Sequence, residues 1–298
     1  MPRRKDLWQC AIVEAPASHL LEKGLRDVPV RWFAAEPAYT FLADPFGLWD
    51  RGVLHVFVEQ YDYRTRHGVI ERLTFDSRLD LVERSPALAE PWHLSYPFVF
   101  DAEGATWMMP EAHRSGTLTL YRAYGNYEDW RPECEIVLDT VPVDASIFRH
   151  EGRWWLFYAS ANDRASKQGE LHVAEAERLC GPWRPHPGNP VRRDPRSSRP
   201  GGTPLLLGDR IMLPTQDCSN TYGGAITPLW ISEITPNHFE AAAGPNLELP
   251  ASPAAGWKGM HTFSACGPVT LIDVKTIDRS LSGLRIELDR LFRSRAPR

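Results

Sequence analysis

The chain alternates short apolar runs with tight polar turns, and the turns fall at regular intervals. "ADPFGLWDRGVLHVFVEQ" from Ala43, "SYPFVFDAEGATWMMPEA" from Ser95 and "DASIFRHEGRWWLFYAS" from Asp144 share one grammar. Each reads as an apolar strand, an acid–glycine turn and a second apolar strand, which is the pattern of a β-hairpin. Eight residues separate Asp44 from Gly52, Tyr96 from Gly104 and Asp144 from Gly152. Seven residues past each glycine stand Glu59, Glu111 and Ala159. Two copies with shorter turns follow, "GGTPLLLGDRIMLPTQDC" from Gly201 and "HTFSACGPVTLIDVK" from His261. The motif recurs about every 50 to 60 residues, a period that marks a repeat architecture.

After each of the first four copies a glycine opens another β-like run: "GVIERLTF", "GTLTLYRA", "GELHVAEA" and "GGAITPLWISEI". An outer strand follows, as around "CEIVLD". Four strands per unit and five units predict an all-β fold, a five-bladed β-propeller, with first strands near 44, 97, 145, 203 and 262. A β-sandwich would not require hairpins in a common register. In the tail, Ile277, Leu281, Leu284, Ile286, Leu288, Leu291 and Phe292 follow helical spacing and predict a short C-terminal helix. Residues 1–298 read as a single domain, with the propeller over about 30–275 and the helix over about 276–296.

Composition narrows the function classes. With 43% hydrophobic and 24% charged residues, the chain has enough apolar material for a full core. A net charge of −4 supplies no basic field for a phosphate backbone, so no nucleic-acid partner is expected. No run approaches the roughly 20 apolar residues of a membrane span. The start, "MPRRKDLWQCAIVEAP", lacks the apolar segment of a signal peptide. Cys10, Cys134, Cys180, Cys218 and Cys266 are odd in number, scattered and without a CxxC pair. They read as small buried residues in a reducing compartment, which makes a cytoplasmic location the expectation. Neither a phosphate-cradling glycine loop nor a nucleotide-binding βαβ unit is found. The oligomeric state is left open.

Residues at equivalent places in different blades converge on the propeller axis. Asp44 and Asp144 open the first strand of their hairpins, Glu59 and Glu111 close the second, and Asp217 ends "LPTQD" in the fourth copy. Pro45 biases Asp44 toward an extended backbone. Glycosidic chemistry needs two carboxyls across the scissile bond and neighbours that tune their pKa values. These acids supply that inventory, with Glu111 in protonated form as the expected proton donor and Glu59 as its competitor. Gln216 beside Asp217 and Arg199 before the fourth strand are candidate substrate-binding residues, Arg199 for an anionic group such as a phosphate or uronate. Most of the eleven tryptophans, notably Trp154 and Trp155, are expected in the core. Trp92 and Trp257, in loops, are the candidates to stack on a sugar.

"ADPF", the aspartate opening "DASIFRHEGRWWLFYAS", and "AERLCGPW" resemble the five-bladed propellers of glycoside hydrolase families 43 and 32. "FLADPF", "YPFVFDAEG", "MPEA", "GPWRPHPGNPV" and "TQDCSNTYGGAI" most closely resemble the propeller on the N-terminal side of plant glucosamine inositolphosphorylceramide transferases and its bacterial stand-alone relatives. By the family 43 pattern, the resemblance implies a general base at Asp44 and a tuning aspartate at Asp144. Glu111 and Asp217 depart from it, because the family places its acid glutamate in a later blade. His261 is similar to a fifth-blade histidine near the axis. No cofactor is expected, with a structural cation on the propeller axis left open. The expected function is glycoside hydrolase-like, on a carbohydrate or glycolipid ligand. The alternative is a non-catalytic glycan- or glycolipid-binding propeller that partners a glycosyltransferase.

Overall fold

The computed structural model describes residues 4–251, 256–281 and 284–286. Five antiparallel sheets of four or five strands are arranged as blades. The first blade runs outward through Thr40–Asp50, Val53–Asp62, His67–Phe75 and Leu81–Leu88. The second uses Ser95–Ala102, Ala105–Glu111, Leu118–Tyr124 and Asp129–Ile136. The third uses Pro142–His150, Arg153–Ser160, Glu170–Ala176 and Arg184–Pro185, with Arg192–Arg193 also paired to its third strand. The fourth has a broken inner strand, Arg199–Pro200 and Leu205–Leu207, then Arg210–Asp217, Ala225–Thr235 and His238–Ala243. The hairpin repeat thus forms the inner half of every blade.

The fifth blade corrects the expected start of the propeller near residue 30. Its inner strands, Phe263–Cys266 and Val269–Asp278, are completed by Lys5–Val13 and Val30–Trp32. Nine residue pairs join Lys5–Val13 to Val269–Asp278, from Lys5↔Asp278 to Val13↔Thr270. The two ends of the chain therefore close the ring. The same strand displaces the expected helix start, since residues 276–278 are β-structure. A short helix near the C-terminus includes residues 284–286, where Ile286 is buried, and the rest of the expected span lies outside the described residues.

Apolar faces of neighbouring blades pack on each other, and Trp154 and Trp155 lie in this core as expected. The cysteine reading is overturned in part. Cys134, on the outer strand of the second blade, forms a disulfide with Cys180 at the edge of the third, while Cys10, Cys218 and Cys266 are free and buried. Sequence spacing gave no sign of this pair, because two cysteines 46 positions apart come together only when two blades pack. The disulfide removes the cysteine argument for a reducing compartment.

Candidate active site

The repeat positions its acids through a shared irregularity. In the first three blades the inner hairpin slips register between Ala43 and Phe46, Ser95 and Phe98, and Val143 and Ser146. The bulged residues are Asp44 (φ 50°), Tyr96 (φ 44°) and Asp144 (φ 48°). Left-handed backbone is uncommon for non-glycine residues and is held only where surroundings enforce it. Asp44 is thus not extended as Pro45 suggested. Bulges re-aim side chains, and here they turn Asp44 and Asp144 toward the axis.

Asp44 is fixed from three sides. Its Oδ1 accepts from Thr262 Oγ1 (3.0 Å), its Oδ2 from the Tyr96 amide (3.1 Å), and its own amide donates to Asp273 Oδ2 (2.9 Å). Asp273 is fully buried and also accepts the amides of His261 (3.1 Å) and Thr262 (3.0 Å). His261 Nδ1 lies 2.7 Å from Asp273 Oδ2 and 3.6 Å from Asp44 Oδ1. Burial, reinforced by Asp273 and Asp144, raises the Asp44 pKa to about 7 against the pull of His261 and Thr262. Burial opposes the charged form of His261, but Asp273 and Asp44 outweigh it and raise that pKa. Asp44, His261 and Asp273 bring possible metal-ligand atoms within 4.8 Å of one another. These atoms also have hydrogen-bond or ion-pair partners within the protein.

Glu59 and Glu111 line the same cavity, of about 480 Å³. Burial first, then the charges of Asp44, Glu111, Asp144 and Asp273, pushes Glu59 well above the usual carboxylate range. Its neighbour His93 has Nε2 3.6 Å from Oε1, beyond hydrogen-bond reach, and burial lowers the His93 pKa to about 4. Burial would also lift Glu111, but its bonds hold it down to about 2. Those bonds come from the His113 amide (2.7 Å), His113 Nδ1 (2.6 Å) and Ser95 Oγ (2.8 Å). The bonds to Glu111 favour its carboxylate form, against the protonated acid expected there, whereas the surroundings of Glu59, its expected competitor, favour the neutral form.

Asp144 is buried and does not line the cavity; its Oδ2 accepts from Arg199 Nε and Gln216 Nε2, both at 2.7 Å. Arg199 and Gln216 are cross-strand partners on the fourth blade. Asp217 does not join them. Strand alternation sends it to the other face, where it accepts from Ser219 (2.9 and 2.6 Å) and Asn246 (3.0 Å). Trp92 and Trp257 do not line the cavity either: Trp92 packs against the core beneath the second blade, and Trp257 stacks on Trp32 at 4.9 Å. The aromatic wall is made instead by Trp8, Phe41, Tyr61, Tyr63 and Tyr222, with Trp8 stacked on His261 at 3.5 Å.

Several of these residues escaped the sequence reading. Trp8 was out of reach because it lines the cavity only once ring closure pairs the N-terminal strand with the fifth blade. Asp273 had a signal, standing six residues past Gly267 where Glu59 and Glu111 stand seven past theirs. Below the site, the Tyr96 hydroxyl spans from the second blade to the fourth. It accepts from the Gly202 amide (2.6 Å) and lies 2.8 Å from Ser146 Oγ. Gly202 has φ 150°, and a Cβ there would lie 1.9 Å from the Phe263 carbonyl oxygen, so only glycine fits. The fully buried Tyr96 ring fills the axis under the cavity.

Residues 32–266 match the family described as glucosamine inositolphosphorylceramide transferase 1, N-terminal. A protein of that name from Arabidopsis thaliana is 33% identical over 228 residues, covering 75% of this chain and 29% of the relative. Its namesake from Oryza sativa subsp. indica is 32% identical over 226 residues, covering 74% and 30%. The chain thus spans less than a third of the length of these relatives. Among solved structures, a family 117 glycoside hydrolase from Zobellia galactanivorans superposes with a TM-score of 0.58 at 14% identity, covering 98% of this chain and 99% of the other. The α-L-arabinofuranosidase PaAbf62A from Podospora anserina gives 0.59 at 12% identity, covering 78% and 90%. A thermostable family-43 glycoside hydrolase gives 0.54 at 16%, covering 77% and 85%. At these identities the likeness is one of fold.

Proposed function

The chain belongs to the glucosamine inositolphosphorylceramide transferase 1 N-terminal family, and from that premise we propose that its axial cavity takes a sugar unit of a glycan or glycolipid head group and acts on its glycosidic bond. The arrangement that carries the reading is three buried carboxyls around one cavity, Glu59, Glu111 and Asp44, whose surroundings push Glu59 up, hold Glu111 down and raise Asp44 to about 7. Acid–base cleavage of a glycoside needs one carboxyl with a proton and one without. Glu59 gives its proton to the leaving glycosidic oxygen as the bond to the anomeric carbon breaks. Asp44 takes a proton from the water whose oxygen forms the new bond to that carbon. Thr262 and the Tyr96 amide steady the Asp44 carboxylate, and Asp144, paired with Arg199, adds negative charge nearby.

The aromatic wall supports the ligand class, since flat rings present apolar faces to a sugar while their polar edges stay hydrated. The relatives carry the name glucosamine inositolphosphorylceramide transferase 1, and a glycolipid head group is the kind of ligand this wall and cavity suit. Among the described residues, no helix is long and apolar enough to cross a membrane. The test is turnover of aryl glycosides and glycolipids by the wild type and Asp44→Asn side by side. A loss of roughly 10² to 10⁴ in rate with folding intact supports the base. Sugar binding without turnover by either protein moves the function to glycan recognition, and equal rates remove Asp44 as the base.

A further inference from the structure

Arg199 is buried, yet only part of its guanidinium is used. Nε donates to Asp144 Oδ2 (2.7 Å) and Nη1 to the Lys167 carbonyl (3.1 Å). That carbonyl belongs to a short helix, Arg164–Gly169, inserted between two strands of the third blade. The guanidinium carbon sits 4.9 Å from the centre of the Tyr222 ring, so stacking adds to the bonds that fix its plane. The side chain is 10% exposed and lines the axial cavity. Nη2 donates to no group among the described residues, and it is absent from the nitrogens sealed away without a partner. The open edge faces the cavity.

An arginine held this way is a recognition device whose orientation is set in advance. Its planar fork suits carboxylate and phosphate oxygens. A purely structural counter-ion for Asp144 would be expected to spend its donors on protein groups, since buried donors are ordinarily satisfied. The surrounding acids do not forbid an anion. Burial favours the neutral form of Glu59, and Glu111 and Asp273 already accept from their own donors, the amides of His113 and His261 among them. Resting on the sugar-binding reading above, we infer that the open edge of Arg199 is the subsite for an anionic substituent, a carboxylate or a phosphate, on the sugar held in the axial cavity. The substrate class is then an acidic or phosphorylated glycan unit.

The test is calorimetric titration of the full chain with glucose, glucuronate and glucose 6-phosphate. One of the two anionic sugars should bind roughly 10- to 100-fold tighter than glucose, the range of charge-assisted hydrogen bonds. Whichever does so identifies carboxylate or phosphate as the source. In the double variant Arg199→Gln with Asp144→Asn, which removes both charges of the pair, the anion-to-glucose affinity ratio should fall to about one. Should that variant fail to fold, Arg199→Lys keeps a charge opposite Asp144 and should still lower the ratio, because the fork is lost. Glucose bound as tightly as both anions by the wild type, or a ratio unchanged in the variants, overturns the subsite while leaving the axial sugar site standing. Failure to bind any of the three sugars overturns both.

Discussion

Glu59 and Glu111 occupy the same position of adjacent blades, each paired across its hairpin with the residue just ahead of the bulge, yet their surroundings push their pKa values in opposite directions. The partners are Ala43 for Glu59 and Ser95 for Glu111. Ser95 donates to its glutamate, and a methyl group cannot. Two residues further on, His113 grips Glu111, whereas the first blade has Tyr61 at the matching place. Ala43→Ser should therefore give Glu59 a donor, lower its pKa and move the alkaline limb of the pH–rate profile to lower pH. An unmoved limb would show that Ala43 is not what keeps Glu59 neutral.

Glu59→Gln should separate function from stability. With no proton to donate, the variant should lose roughly 10² to 10⁴ in rate. A carboxyl whose folded pKa is raised contributes stability below its unfolded value, here 4.5, and that contribution is lost as pH rises through the folded pKa. Glutamine stays neutral throughout. The variant should thus gain melting temperature relative to wild type as pH rises, and thermal unfolding at pH 5 and pH 8 measures it. A variant equally destabilised at both would contradict a neutral Glu59.

Glu111 carries the opposite sign. Its pKa is lowered from 4.5 to about 2, so its contribution is present above 4.5 and is lost as pH falls toward 2. His113→Ala should cost about 1.5–3 kcal/mol at pH 7, the scale of hydrogen bonds to a charged group. The gap from wild type should close toward pH 2. Urea titrations across that window should show the convergence, and a constant gap would contradict it.

Tyr96→Phe keeps the ring in the axis but strips the Gly202 amide of its buried acceptor. The expected cost is about 1–3 kcal/mol, read as a lower denaturant midpoint at unchanged slope. No change would mean that the amide finds another partner.

Replacing Cys134 and Cys180 together by alanine should cost about 2–4 kcal/mol by releasing a long loop in the unfolded chain. Non-reducing peptide mapping identifies the bond, and equal midpoints with and without reductant would contradict its contribution.

The blade count was legible because hairpin grammar is local: a glycine turn and alternating apolar positions need no knowledge of distant residues. The places of Asp44, Glu59, Glu111 and Asp144 followed from register alone. The pKa shifts of Asp44, Glu59 and Glu111 did not, because they depend on Ser95, His113 and Asp273, which reach them through space. Asp217 was misplaced by one position, and in a strand one position is the opposite face. The first-strand aspartate was expected to be extended, but the bulge sets its backbone. Trp8, Cys134 and Cys180 act through ring closure and blade packing, which leave no trace in spacing.

The central claim is that one glutamate in the axial cavity holds its proton at neutral pH while its counterpart in the next blade does not. Difference infrared spectroscopy of the carboxyl C=O stretch tests this without a substrate. In wild-type protein at pH 7, a protonated carboxyl band should be present, should be absent from Glu59→Gln and should persist in Glu111→Gln. A spectrum with no protonated carboxyl at pH 7, or a band that vanishes with Glu111 instead of Glu59, would contradict the account.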